Sequence, residues 1–158
     1  MVLRLLGHAW AMVQSQVNDP EVIRRLLVTP GRWAVVGLST NRARTAWRIA
    51  SYLQSTLGQQ IVPVHPKAET VHGEPGYATL SDVAASGVKI DVVDVFVRSS
   101  LAGAVVDQAI ACGASAVWLQ LGVIDEAAAA RALAAGLDVV MDTCPAIEAP
   151  RFGLGGAA

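Results

Sequence analysis

Within eight residues, Gly37-Leu38-Ser39-Thr40-Asn41-Arg42-Ala43-Arg44 gathers one glycine, two hydroxyls, a side-chain amide and two arginines. That set suits an anion. Unpaired backbone N–H groups at a helix start carry partial positive charge, and arginine adds charge-assisted bonds to phosphate. The same residues also read as a capped helix start with solvated arginines. Further on, His65-Pro66-Lys67 puts a lysine where a second phosphate group could be held. His65 has no nucleophile or carboxylate nearby in the chain, so it reads as a hydrogen-bonding residue rather than a base. Arg98 follows one apolar run. Gln120 closes another, and its amide both donates and accepts.

Other chemistries find less support. Asp91 and Asp94 flank a hydrophobic run as a conceivable acid/base pair, but Asp91 reads as the start of that run. Asp94 interrupts it and, if buried, needs a hydrogen-bond partner. Asp142-Thr143-Cys144 offers a thiol without an adjacent base, which favours an inert or modestly reactive cysteine. Cys112 and Cys144 stand in neither a CxxC nor a Cys/His cluster, so no metal site or disulfide framework is visible. GxSxG, HExxH and the P-loop are absent. The dinucleotide fingerprint GxGxxG would need glycines where Ser39 and Arg42 stand, and the acid expected after the second strand is replaced by His65. These gaps count against NAD. An NADP-binding oxidoreductase-like domain is the surviving alternative, because Lys67 or an arginine could meet a 2′-phosphate.

Elements must position these residues. Five short apolar runs read as strands: 33–38, 60–64, 91–97, 116–121 and 137–141. Helices are expected between them, over 42–57 with Thr40 or Asn41 as cap, 81–86, from Ser99 or Ser100 to Cys112-Gly113, and 126–135 capped by Asp125. An earlier helix, about 20–27, has Asn18 or Asp19 as cap and Pro20 in its first turn. Pro63 removes a ladder donor and should lie near a strand end or bulge. Trp118 reads as core. This alternation demands a parallel sheet with helices on both faces: one Rossmann-like, doubly wound α/β domain of about five strands. Ligands of such sheets bind beyond the strand C-termini, where the candidate residues fall. The expected layout is an N-terminal helical extension over 1–30, the domain over 31–150 and a loose tail over 151–158.

A chain of 158 residues suits one domain, and 53% hydrophobic with 16% charged residues excludes disorder. A net charge of −1 gives no field for nucleic acid. The apolar start, Met1–Val13, is too short to span a bilayer and contains Arg4 and His8, so no membrane role is expected. A reducing cytoplasmic setting follows from the cysteine usage.

Several stretches together resemble a known family. They are Val35-Val36-Gly37-Leu38-Ser39, Pro63-Val64-His65-Pro66-Lys67, Gly73-Glu74, Asp91-Val92-Val93-Asp94-Val95-Phe96, Trp118-Leu119-Gln120-Leu121-Gly122 and Met141-Asp142-Thr143-Cys144. The chain is similar, from about Trp33 to Glu148, to the small stand-alone CoA-binding proteins, whose domain is like the N-terminal domain of the succinyl-CoA synthetase alpha subunit. The resemblance implies coenzyme A or an acyl-CoA held over the strand ends. Gly37, Ser39, Thr40, Asn41 and Arg42 would wrap the phosphates, with Arg44 beside them. Lys67 would match a CoA-contacting lysine, next to His65. Arg98 and the segment Leu119, Gln120 and Leu121 would border the ligand. Three departures stand out: His65 for a usual Asn, Val97 for the first of two basic residues, and Thr143 for a usual arginine. The synthetases' catalytic histidine and nucleotide-grasping domain have no counterpart here, so the resemblance implies a non-catalytic binding, sensing or carrier module. A regulatory partner of an acyl-CoA enzyme, docking through the N-terminal extension, is a further alternative.

Overall fold

The computed structural model describes Val13 and residues 16–155. Five parallel strands form one sheet in the order β2-β1-β3-β4-β5: β1 (Arg32–Val36), β2 (Gln60–Val64), β3 (Val92–Val95), β4 (Ala116–Leu119) and β5 (Asp138–Met141). The helices are α1 (Pro20–Val28), α2 (Thr45–Ser55), α3 (Leu80–Ala85), α4 (Ser99–Ala111), α5 (Glu126–Ala134) and α6 (Pro145–Glu148), with a 3-10 turn over Ala149–Phe152. This is the Rossmann-like, single-domain α/β fold that the alternation demanded. None of these helices is long and apolar enough to cross a membrane.

Side-chain alternation along the strands builds two cores. Ala34, Val93, Val95, Val117, Leu119 and Val139 face α3, α4 and α5. Trp33, Val35, Val92, Trp118 and Val140 face α1, α2 and the chain after β5. Trp118 is wholly buried, its ring centroid 5.5 Å from that of Trp33, and its indole N–H donates to the Thr143 carbonyl at 3.0 Å. The α2 helix that follows β1 and the α4 helix that follows β3 thus lie on opposite faces of neighbouring strands. A crevice must open between them at the strand C-termini.

Local details differ from expectation for identifiable reasons. The α2 helix begins at Thr45, because the Asn41 side chain accepts from Ala43 N–H at 3.0 Å and turns the loop before the helix can start. Ser99 and Ser100 are already helical rather than caps. The Ser99 hydroxyl lies 3.3 Å from the Gly122 carbonyl and accepts from Ile124 N–H at 3.0 Å, tying α4 to the loop after β4. Pro63 sits on edge strand β2, and its carbonyl accepts from Tyr77 N–H at 3.0 Å. Asp19, not Asn18, caps α1. Asn18 instead grips β5: its N–H donates to the Val139 carbonyl, and its side chain bonds both backbone groups of Met141. Nothing in the sequence around Gln59 announced its role. It accepts from Gly31 N–H and donates to the Leu27 and Thr29 carbonyls, closing the end of α1.

Segments at both ends of the chain pack on the domain. Ile23 and Leu27 of α1 are buried in the second core, so this part of the extension belongs to the fold. Residues 1–12, 14 and 15 of the extension lie outside the described residues. The tail is packed rather than loose as far as Leu154: Phe152 and Leu154 rest on the same core. Residues 156–158 also lie outside the described residues.

Candidate functional site

A cleft of about 1750 Å³ opens at the C-terminal ends of β1, β2, β3 and β4. Typical small-ligand pockets occupy about 300–1,000 Å³, so this one has room for an extended molecule. The β1 strand reaches it through Gly37 (φ 102°), whose N–H donates to the Val64 carbonyl at 2.8 Å. Ser39, Asn41 and Arg44 then descend its wall to the N-terminus of α2. No side chain caps that helix, and its first two residues, Thr45 and Ala46, line the cleft. Along α2, Thr45, Arg48, Ile49 and Tyr52 share the cleft-facing side at helical spacing. His65 and Lys67 enter from the end of β2. The His65 ring nitrogen Nδ1 accepts from Lys67 N–H at 3.2 Å and shapes the turn that presents the lysine.

The cleft therefore unites nine of the twelve residues singled out in the sequence: Gly37, Ser39, Asn41, Arg44, His65, Lys67, Arg98, Gln120 and Leu121. The other three are engaged elsewhere. The Thr40 hydroxyl donates to Glu69 at 2.8 Å, a bond that holds the Glu69 carboxyl below its ordinary pKa. Arg42 lies over the Trp47 ring, 5.4 Å from its centroid. Leu119 is buried in the first core. Arg48 and Tyr52 were missed by sequence reasoning. Their signal was present as the i+4 and i+8 positions from Arg44, but it becomes readable only once α2 is known to face the cleft.

Beneath the cleft floor lies a buried carboxyl. Asp94 on β3 has no exposed surface, and Gln120 Nε2 donates to its Oδ1 while Oδ2 has no partner. Burial pushes its pKa up to about 8, opposed only in part by the Gln120 bond. Gln120 thus spends one amide hydrogen on Asp94 and lines the cleft beside it. Thr143 is turned away: its hydroxyl donates to buried Glu148 at 2.6 Å, and Arg151 pairs with the same carboxylate at 3.2 Å.

Cys144 also lines the cleft, but as a poor nucleophile. Burial raises its thiol pKa, with Arg48 and two backbone N–H groups opposing the shift. Iodoacetamide at neutral pH is expected to label Cys144 at least about tenfold more slowly than half-buried Cys112. Peptide mapping by mass spectrometry would read both rates, and equal rates would contradict the buried-thiol picture. Among the described residues no cluster of three or more His, Cys, Asp or Glu is placed to hold a metal ion.

The family of the CoA binding domain matches residues 31–150. The chain belongs to that family. The chain is 31% identical over 122 residues to the uncharacterized protein YneT of Bacillus subtilis (strain 168), covering 77% of this chain and 87% of that one. Among solved structures, it is similar to a hypothetical protein from Pyrococcus horikoshii OT3, with 36% identity, a TM-score of 0.76, and coverage of 84% and 91% of the two chains. The dinucleotide-forming acetyl-coenzyme A synthetase 1 of Ca. Korarchaeum cryptofilum shares the fold, with a TM-score of 0.62 and 23% identity. The match covers 76% of this chain and 27% of that much larger one.

Proposed function

We propose that this chain binds coenzyme A, free or acylated, across the strand C-termini and performs no chemistry on it. One observation carries the reading: Arg44, Arg48 and Lys67 converge with the uncapped α2 N-terminus on one wall of the cleft. Those groups suit a ligand carrying several phosphate charges. Ser39, Asn41 and Arg44 would hold the diphosphate, Lys67 a further phosphate, and Gln120 an amide of the pantetheine arm. The cleft's candidate acid, base and nucleophile are His65, Asp94 and Cys144. His65 is committed to its turn, Asp94 is sealed beneath Gln120, and Cys144 is buried and its thiol favoured, so a sensing, carrying or presenting role fits better than catalysis. The free Cys112 and Cys144 suit a reducing cytoplasm.

Titration calorimetry with CoA, NAD and NADP at two salt concentrations tests this. Saturable CoA binding that weakens with salt is the expected result. Arg44→Ala/Lys67→Ala should lower CoA affinity by at least about tenfold and flatten the salt dependence. Arg42→Ala should do less, since Arg42 is occupied over Trp47. Binding of NADP without CoA would overturn the reading in favour of an oxidoreductase-like domain.

A further inference from the structure

The cleft is chemically divided. On the β1 and β2 side stand Arg44, Arg48, His65 and Lys67. Of the cleft residues contributed after β3, β4 and β5, Arg98 alone is charged; the others include the apolar Phe96, Val97, Leu101, Leu121 and Ile147 and the amides Gln108 and Gln120. The second half is also unusual in its exposure. Five large hydrophobic residues are exposed among the described residues, and three of them, Leu101 at 48%, Leu121 at 63% and Ile147 at 41%, line this cleft. A fourth, Ile124, is fastened to the same rim by its N–H bond to Ser99. A rim of this kind on a compact domain marks something apolar that covers it.

We infer that this rim is a subsite for an aliphatic acyl chain, so that the favoured ligand is a medium-chain acyl thioester of CoA rather than CoA itself. The inference rests on the coenzyme reading above. Two features favour an acyl chain over a partner protein. The apolar surface is continuous with the cationic wall inside one cleft, so both halves are within reach of one amphipathic molecule. The cleft volume also exceeds that of an ordinary small-ligand pocket. Val97 belongs to this pattern: an apolar residue stands where the resemblance led us to expect a basic one. The one thiol lining the cleft, that of Cys144, is buried and its protonated form favoured, so it is poorly placed to attack the thioester.

The test compares CoA, acetyl-CoA and octanoyl-CoA by calorimetry, below the concentration at which octanoyl-CoA self-associates. Octanoyl-CoA is expected to bind at least about tenfold more tightly than CoA, with acetyl-CoA close to CoA. Leu101→Ser/Ile147→Ser should erase that advantage and leave CoA affinity in place. Equal affinities for CoA and octanoyl-CoA would overturn the acyl subsite while leaving the coenzyme reading intact. An octanoyl preference that survives in the double variant would overturn the assignment to this rim. Failure of all three ligands to bind would overturn the coenzyme reading and the inference with it. Protein self-association abolished by Leu101→Ser/Ile147→Ser, with no acyl preference, would assign the rim to a second copy of the chain.

Discussion

Asp94→Asn is expected to stabilise the protein progressively more as pH rises from about 4 to about 8. The folded-state pKa of Asp94 lies near 8, against an ordinary value of 3.8. Below both values the carboxyl is neutral in the folded and unfolded states and costs nothing extra. Between them the unfolded chain has released a proton that the folded protein retains, so stability falls as pH rises, by up to ~1.4 kcal/mol per pH unit. Above about 8 the folded protein also ionises, and the loss levels off. Asparagine keeps the shape, still accepts from Gln120 Nε2 and carries no proton to lose. The variant should match the parent near pH 4 and exceed it near pH 8 by roughly 3–6 kcal/mol at most. Urea unfolding at several pH values would show two curves that diverge toward alkaline pH. Parallel curves would mean that Asp94 does not carry this pH dependence.

Gly37→Ala should have the opposite effect at every pH. Gly37 has φ 102°, a region that side-chain-bearing residues avoid, and an added Cβ would stand 2.6 Å from the Phe96 carbonyl oxygen. That oxygen is backbone, and Phe96 is itself anchored to β1, its N–H donating to the Val36 carbonyl at 2.9 Å. Neither strand has a flexible side chain to move aside. Backbone strain and forced separation of the β1 and β3 ends should together cost about 2–4 kcal/mol, or roughly 5–15 °C in Tm. The same separation would misplace the Ser39–Arg44 loop, so CoA affinity should fall even at temperatures where the variant is folded. Circular dichroism melts paired with calorimetry would read both effects. An unchanged Tm would refute the close-approach argument.

These two residues also show what could and could not be read in the sequence. A glycine closing an apolar run, followed by hydroxyls and arginines, is a local signal, and it pointed to residues that line one wall of the cleft. Asp94 was legible as a problem, because a carboxylate inside a hydrophobic run needs a partner. The partner was not, because Gln120 lies 26 residues away. Only the parallel register finds it: Asp94 lies opposite Trp118, and Gln120, two residues farther along, returns to the same face. Helix rotation hid Arg48, Tyr52, Leu101 and Ile147 in the same way. Their types are ordinary in amphipathic helices, and packing alone decides which side faces the cleft. Asn41 misled at shorter range. As a residue type it suits a helix cap, but it closed its own turn two residues on, and α2 began three residues later than expected.

The two outermost strands carry a consequence for how copies of this protein meet. A sheet ending in bare N–H and C=O groups is a template for another chain's strand. Here one border is occupied by Asn18, whose backbone and side chain take the Val139 and Met141 groups of β5. The other is occupied by Tyr77, which exchanges bonds with Pro63 and His65 beside β2, where the proline ring has already removed one donor. Edge-to-edge polymerisation thus meets a plug at either side, and self-assembly of this domain has to proceed through side-chain surfaces instead.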